Sequence, residues 1–333
     1  MTYRVHFLQP IPGSIAILIS IMATNRLTQL QNHLSSPSDV VLTSYSSDRR
    51  VVTITINNVS RANCLSTPVL KAILAALSSI NPIINLDSSV DTEDPIAFAE
   101  RVCQSHSPNP VPKVVILKSE GKIFCSGHDL REFHMANGDY KTTHDIFELC
   151  NTVMLTIRRL PQVVISQVSP GDGREDSFQV QGIATAAGTQ LAAQADLCVA
   201  SLSATFATPG VQRGGFCTTP SVAISRSIQF PKQCLRMLFT GEQFSAQQAY
   251  AYGLVSHISK GDLDEFTSNL AASIAKATST TLFLGKRGFY EQKDLGIVDA
   301  YEFTGKVMAR NFCLEDTKEG VSAFIEKRRP EWE

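Results

Sequence analysis

The small-residue run Gly182-Ile183-Ala184-Thr185-Ala186-Ala187-Gly188 stands directly ahead of a helix-like stretch, Thr189 to Ala195. The first N–H groups of a helix lack partners within it, and the helix dipole favours negative charge there. With only small side chains in the way, a ligand carbonyl can approach that backbone closely. Donors aimed at a developing enolate contribute a few kcal/mol to a transition state. Tight packing of a helix on a strand demands the same small residues, so the run by itself leaves both readings open. The eight cysteines (Cys64, Cys103, Cys125, Cys150, Cys198, Cys217, Cys234, Cys313) include no C-x-x-C pair, and the seven histidines show no metal-ligand spacing with them. That pattern indicates reduced, buried thiols in an intracellular protein, with no disulfide framework and no metal.

The elements that position this chemistry follow from the rest of the chain. Its 333 residues are 43% hydrophobic and 18% charged, with 30 Lys+Arg against 31 Asp+Glu. A net charge of -1 argues against a nucleic-acid partner held through phosphates. The apolar run Ile15 to Ile19 is far too short to span a bilayer. Val51 to Ile56, Val114 to Leu117, Val163 to Ile165 and Leu197 to Ala200 read as strands, and His144 to Leu160 as a helix stopped by Pro161. From Pro220 onward the pattern is helical: Pro220 to Ser227, Pro231 to Leu238, Ser245 to Tyr252, Leu263 to Ala277 and Ile297 to Arg310. Ser78 to Pro112 reads as a long surface loop with a short helix near Phe98 to Val102. The chain is thus α/β in its first half and helical in its second. Its expected division is a leader over 1–46, a core over 47–260 and a helical region over 261–333, with the folded part beginning at Val51.

Four separated segments carry a resemblance: Lys122-Ile123-Phe124-Cys125-Ser126-Gly127-His128-Asp129-Leu130; Gly182 to Leu191 with Ala195-Asp196-Leu197; Phe239-Thr240-Gly241-Glu242 with Ser245-Ala246 and Gly253-Leu254-Val255; and Glu319-Gly320 with Ala323 to Arg328. In this order, between about Val51 and Trp332, the chain resembles the crotonase, or enoyl-CoA hydratase/isomerase, superfamily. The resemblance implies a crotonase-like spiral of ββα repeats and a helical C-terminal trimerisation region, hence a homotrimer or a dimer of trimers. It also implies a pocket for an acyl-CoA thioester, with coenzyme A as part of the substrate and no separate cofactor. By motif position the two oxyanion N–H donors fall on Ser126 and Ala187. Arg61, His128, Asp129, Leu130, Phe324 and Lys327 take the places of residues that border the coenzyme A part of the ligand. His128, beside the first donor, is of a type that titrates near neutrality.

The two positions where such hydratases carry glutamates are here Gln190 and Gly210. An amide is no general base near neutral pH and glycine has no side chain. In the loop Gly214 to Thr219, where related isomerases place an acid, Cys217 is the titratable residue, and a packed thiol is its more ordinary reading. Two functions follow from the resemblance. One is an enzyme of hydratase/isomerase type, a lyase or isomerase of fatty-acid oxidation or of a biosynthetic route, acting on an enoyl-CoA by enolate stabilisation. The alternative is a non-catalytic acyl-CoA-binding member. Replacing Gln190 and Gly210 together by Glu is expected to raise hydration.

Two further features lie outside the core pattern. Val168 to Gln179 is a polar, turn-rich interruption, either a loop insertion or retained intron sequence, because Val-Ser and a final Gln can be encoded by common intron borders. Arg26-Leu27, five residues, then His33-Leu34 resembles an N-terminal peroxisomal targeting signal, with Met22 as a possible start. A peroxisomal destination is expected, with a mitochondrial presequence as the alternative, given Arg4 and Arg26 and few early acids.

Overall fold

The computed structural model describes residues 40–80, 94–103, 111–169 and 182–332. The targeting segment Arg26 to Leu34 and all but Val168 and Ser169 of the interruption lie outside the described residues. Among the described residues ten strands form two sheets: β1 Val41–Tyr45, β2 Val51–Ile56, β3 Val114–Ser119, β4 Ile123–Cys125, β5 Val163–Val168, β6 Ile183–Thr185, β7 Leu197–Ser201, β8 Thr205–Ala207, β9 Phe244–Ser245 and β10 His257–Ser259. The larger sheet has the order β1-β2-β3-β5-β7-β10 and the smaller β4-β6-β8-β9. The pairs β3/β4, β5/β6 and β7/β8 each send their first strand to the large sheet and their second to the small one. Parallel pairing runs from β2 through β3, β5 and β7 to β10, while β1 lies antiparallel on the edge.

The helices complete the repeats: α1 Thr67–Ile80, α2 Pro95–Cys103, α3 Leu130–Ala136, α4 Tyr140–Arg159, α5 Ala187–Gln194, α6 Thr218–Ser227, α7 Pro231–Thr240, α8 Ala246–Tyr252, α9 Leu263–Ile274, α10 Ser279–Gln292, α11 Ile297–Asn311 and α12 Glu315–Glu326. Alternation along β3 divides the core. Val115 and Leu117 join the main cluster with Leu70, Ile73 and Leu77 of α1. Val114 and Ile116 face the other way, onto Leu263 and Ala271 of α9. A strand buried on both faces reads as a continuous apolar run, which is how β3 looks in the sequence.

The structure amends three expectations. β1 falls inside the stretch read as leader, so the fold reaches back beyond Val51; only its Val41 is buried, and an edge strand with one buried residue shows no alternation to detect. Val168 belongs to β5, paired with Ala200 and fully buried, and not to the interruption. Within the expected loop from Ser78, α1 continues to Ile80, and α2 is longer than the short helix foreseen, its Phe98, Ala99 and Val102 packing on Phe283 and Leu284 of α10. Among the described residues no helix is long and apolar enough to cross a membrane.

Candidate active site

Parallel pairing of β4 with β6, Ile123 opposite Ile183 and Cys125 opposite Ala184, brings the loop after β4 beside the start of α5. The fit is close. A methyl carbon added at Gly188 would lie 2.2 Å from the Cys125 carbonyl oxygen, so only glycine lets the helix start sit against β4. One added at Gly127, where φ is +90°, would lie 3.0 Å from Ala186 Cβ and 3.4 Å from Ala187 N. Ala186, the cap of α5, itself has φ 51°, a strained value for an L residue. It is held by its N–H to Ala207 O at 2.8 Å, while Thr189 Oγ1 lies 2.8 Å from both Ala184 O and Ala207 O. The result is a fixed, fully buried helix start whose Ala187 N–H meets no acceptor among the described residues.

On the facing loop, the Ser126 N–H expected as the second donor is engaged: it donates to Ala62 O at 3.1 Å. Leu65 N donates to Gly127 O at 2.7 Å, which pins the same loop to the residues before α1. Gly127 N–H donates to Cys125 Sγ at 3.4 Å, whereas that of His128 has no backbone or side-chain acceptor among the described residues. Two N–H groups without acceptors, those of Ala187 and His128, therefore flank the Gly127–Ala186 contact.

The His128 ring does not titrate near neutrality. It stands edge-on to Phe133 and Phe147, with centroids 5.7 and 5.2 Å away. Burial pushes its pKa down to about 4 against a smaller opposing pull from the Leu65 backbone. Asp129 caps α3 and is 4% exposed, with Arg61 Nη1 at 3.1 Å and Arg131 Nε at 2.9 Å. Burial opposes its ionisation, but the hydrogen bonds and charge of Arg131, with the charge of Arg61, hold the carboxyl below its usual range. Arg61 thus neighbours the loop as part of an ion pair, and Leu130 is exposed beside it. Phe324 and Lys327 are not brought to these segments: Phe324 borders a separate cavity of about 370 Å³ with Trp332, and Lys327 is the exposed cap of α12.

Gln190 follows Ala187 by one helical turn and is 3% exposed; its Oε1 has no partner among the described residues. It borders a cavity of about 980 Å³ together with Gln194, Met154, Phe283 and Lys286. Gly210 lies in a 3-10 turn, Pro209–Arg213, where an added methyl carbon would stand 2.5 Å from Gly215 O and 2.8 Å from Cys217 Sγ. No side chain fits there without moving backbone, so the expectation that Glu at this position aids hydration is withdrawn. Cys217 is buried, and burial pushes its thiol up. Six of the eight cysteines are buried as expected, but Cys103 and Cys313 are exposed.

Sequence reading passed over one cluster on the cavity wall. Lys286 Nζ lies 2.7 Å from Asp196 Oδ2 and donates to Ile157 O at 3.0 Å and Gln162 O at 2.8 Å. Tyr290 donates its O–H to Asp196 Oδ1 at 2.7 Å, and Val164 N–H donates to Asp196 Oδ2 at 2.7 Å. Burial lowers the Lys286 pKa against the charge of Asp196. The cluster ties α10 to the start of β5. Asp196 stands in one of the recognised segments, whereas nothing around Lys286 in the sequence marks it.

The sequence model of the enoyl-CoA hydratase/isomerase family matches residues 101–333. The mitochondrial enoyl-CoA hydratase domain-containing protein 3 of Rattus norvegicus is 42% identical over 222 residues, 66% of this chain and 69% of that protein. Its Xenopus laevis namesake is 34% identical over 310 residues, 92% of this chain and 90% of its own. The crystal structure of the human enoyl-CoA hydratase domain-containing protein 3 superposes with a TM-score of 0.71 at 34% identity, covering 88% of this chain and 100% of that one. The overall fold is thus shared with a solved relative. The chain belongs to the enoyl-CoA hydratase/isomerase family, with the crotonase fold the sequence led us to expect.

Proposed function

We propose that the protein is an acyl-CoA-binding enzyme of hydratase/isomerase type, whose thioester oxygen is held by the backbone N–H groups of Ala187 and His128. The observation that supports this is the pair of acceptor-free N–H groups on two segments locked together by Gly127 and Gly188. A helix start aimed at an enolate oxygen in a buried site supplies charge stabilisation without reorganisation. Arg61 and Asp129, as an ion pair beside the loop, and Leu130 border the coenzyme A part of the ligand, and coenzyme A enters only with the substrate. Phe324 and Lys327 serve a ligand only if a second copy presents them. The exposed Ile297, Val298, Tyr301 and Ile325 on the C-terminal helices suit a trimer or dimer of trimers, which light scattering would measure.

A second reading, binding without turnover, is favoured by Gln190 and Gly210. Titrating the protein with a saturated acyl-CoA, and following absorbance with 2-enoyl- and 3-enoyl-CoA, separates the two. Binding with turnover of either enoyl thioester supports the enzyme, binding alone supports the second reading, and no binding removes both. The names of the rat and frog relatives place those proteins in mitochondria, so we take the mitochondrial alternative for this chain; the peroxisomal expectation gains no support from them.

A further inference from the structure

We propose that Glu132 is a positioning residue for the thioester site: by gripping the start of α1 it fixes the peptide plane that aims the His128 N–H. This rests on the reading of Ala187 and His128 as the holders of the thioester oxygen. Helix α3 buries none of its residues, so apolar packing holds it only weakly. A row of polar ties to residues 61–67 fastens it instead. Ser126 N–H donates to Ala62 O at 3.1 Å, Leu65 N–H donates to Gly127 O at 2.7 Å, and Arg61 Nη1 lies 3.1 Å from Asp129 Oδ2. Glu132 closes the row. Its Oε1 and Oε2 accept from Thr67 N–H at 3.0 and 3.1 Å, and Oε2 also accepts from Thr67 Oγ1 at 3.1 Å.

Thr67 is the first residue of α1, where a carboxylate meets an N–H that has no partner within the helix and the positive end of the helix dipole. Such a charge-assisted contact is about twice as strong as a neutral one. Its effect on the site runs through Leu65, two residues earlier in the chain. In a trans peptide the C=O and the N–H point in opposite directions. Leu65 draws the Gly127 carbonyl toward the 61–67 segment, so the His128 N–H of the same peptide is turned away from it, without an acceptor among the described residues. Gly127, at φ +90° and with no side chain to stiffen it, does not hold that tilt by itself. With Glu132 released, Leu65 and Gly127 are free to slip past each other and the plane loses its aim.

Calorimetric titration of the full chain with butyryl-CoA and with S-butyl-CoA, a thioether that lacks the carbonyl oxygen, isolates the two N–H groups. The natural protein is expected to prefer the thioester by about tenfold. In Glu132→Ala that preference should fall to about twofold at unchanged thioether affinity, while Glu132→Gln, which keeps an acceptor oxygen, should retain most of it. Thr67→Pro removes the donated N–H at a helix position that tolerates proline, so it should repeat the alanine result and carries the test if Glu132→Ala does not fold. An undiminished preference in the alanine and proline variants would overturn the proposal. So would thioester and thioether affinities that fall together, which would make Glu132 a cap of α1 and nothing more. No preference for the thioester in the natural protein, or no binding of either compound, would instead remove the underlying reading of the site, and this proposal with it.

Discussion

Acidification should unload His128 from the fold in a way that a single variant can isolate. The ring sits between Phe133 and Phe147, with both nitrogens buried and unpartnered among the described residues. Burial lowers its pKa from 6.5 to about 4. Below the unfolded value the unfolded chain takes a proton that the folded chain refuses. The contribution is therefore whole above about pH 6.5 and is lost as pH falls toward about 4. A difference of roughly 2.5 units at about 1.4 kcal/mol each amounts to about 3 kcal/mol. His128→Phe keeps an aromatic ring and breaks no side-chain hydrogen bond, and any overpacking cost of about 1–3 kcal/mol is independent of pH. Urea unfolding of both proteins from neutrality to about pH 4 gives the comparison. The natural protein should lose about 3 kcal/mol more than the variant over that range. Parallel stability curves would refute the burial argument, because carboxylate titration affects the two proteins alike.

Other perturbations test the packing and the substituted positions. Gly188→Ala places a carbon 2.2 Å from Cys125 O and should cost at least about 3 kcal/mol in thermal unfolding, whereas Gly285→Ala, with open space around it in α10, should gain up to about 1 kcal/mol. Lys286→Met leaves Asp196 buried without its cation and should cost about 3–5 kcal/mol in denaturant titration; adding Asp196→Asn should recover part of that loss. Gly210→Glu should lower the folded yield without raising hydration of 2-enoyl-CoA, while Gln190→Glu should fold, its carboxylate standing one turn from Ala187. Folding and hydration by Gly210→Glu would show that the 3-10 turn can open.

What the sequence revealed and what it hid divide along the range of the interactions. β3 and the helix pattern of α1 were legible because burial writes a local period into the chain. The loop after β4 and the start of α5 were recognisable as segments, since glycine at 127 and 188 is fixed by close backbone approach. The proposed donor was not legible at residue level. Ser126 loses its N–H to Ala62, and that partner becomes a neighbour only once the turn before α1 folds against the loop. The same holds for His128, an ordinary histidine until Phe133 and Phe147 close on it, and for Lys286, whose partner Asp196 is brought to it by packing of α10.

Burial around the two N–H groups bears on the chemistry because it moves the titratable groups there away from neutrality. His128 is pushed down to about 4 and Cys125 up to about 12, both by burial. Burial also raises Cys64 and Cys217, and Asp129 is held low by its arginines. General acid–base catalysis works best with a pKa near the working pH. With an amide at position 190 and no room for a side chain at 210, the side chains around the two N–H groups are set to keep their charge constant from about pH 5 to 8. Affinity for an acyl thioester should accordingly be flat across that range. A turnover rate that rose or fell steeply within it would place the proton-transfer group on water, on the substrate, or on a residue brought by a second copy. On the proposed reading, polarisation of the thioester by the backbone dipoles at Ala187 and His128 is the one step that these residues carry through without any such help.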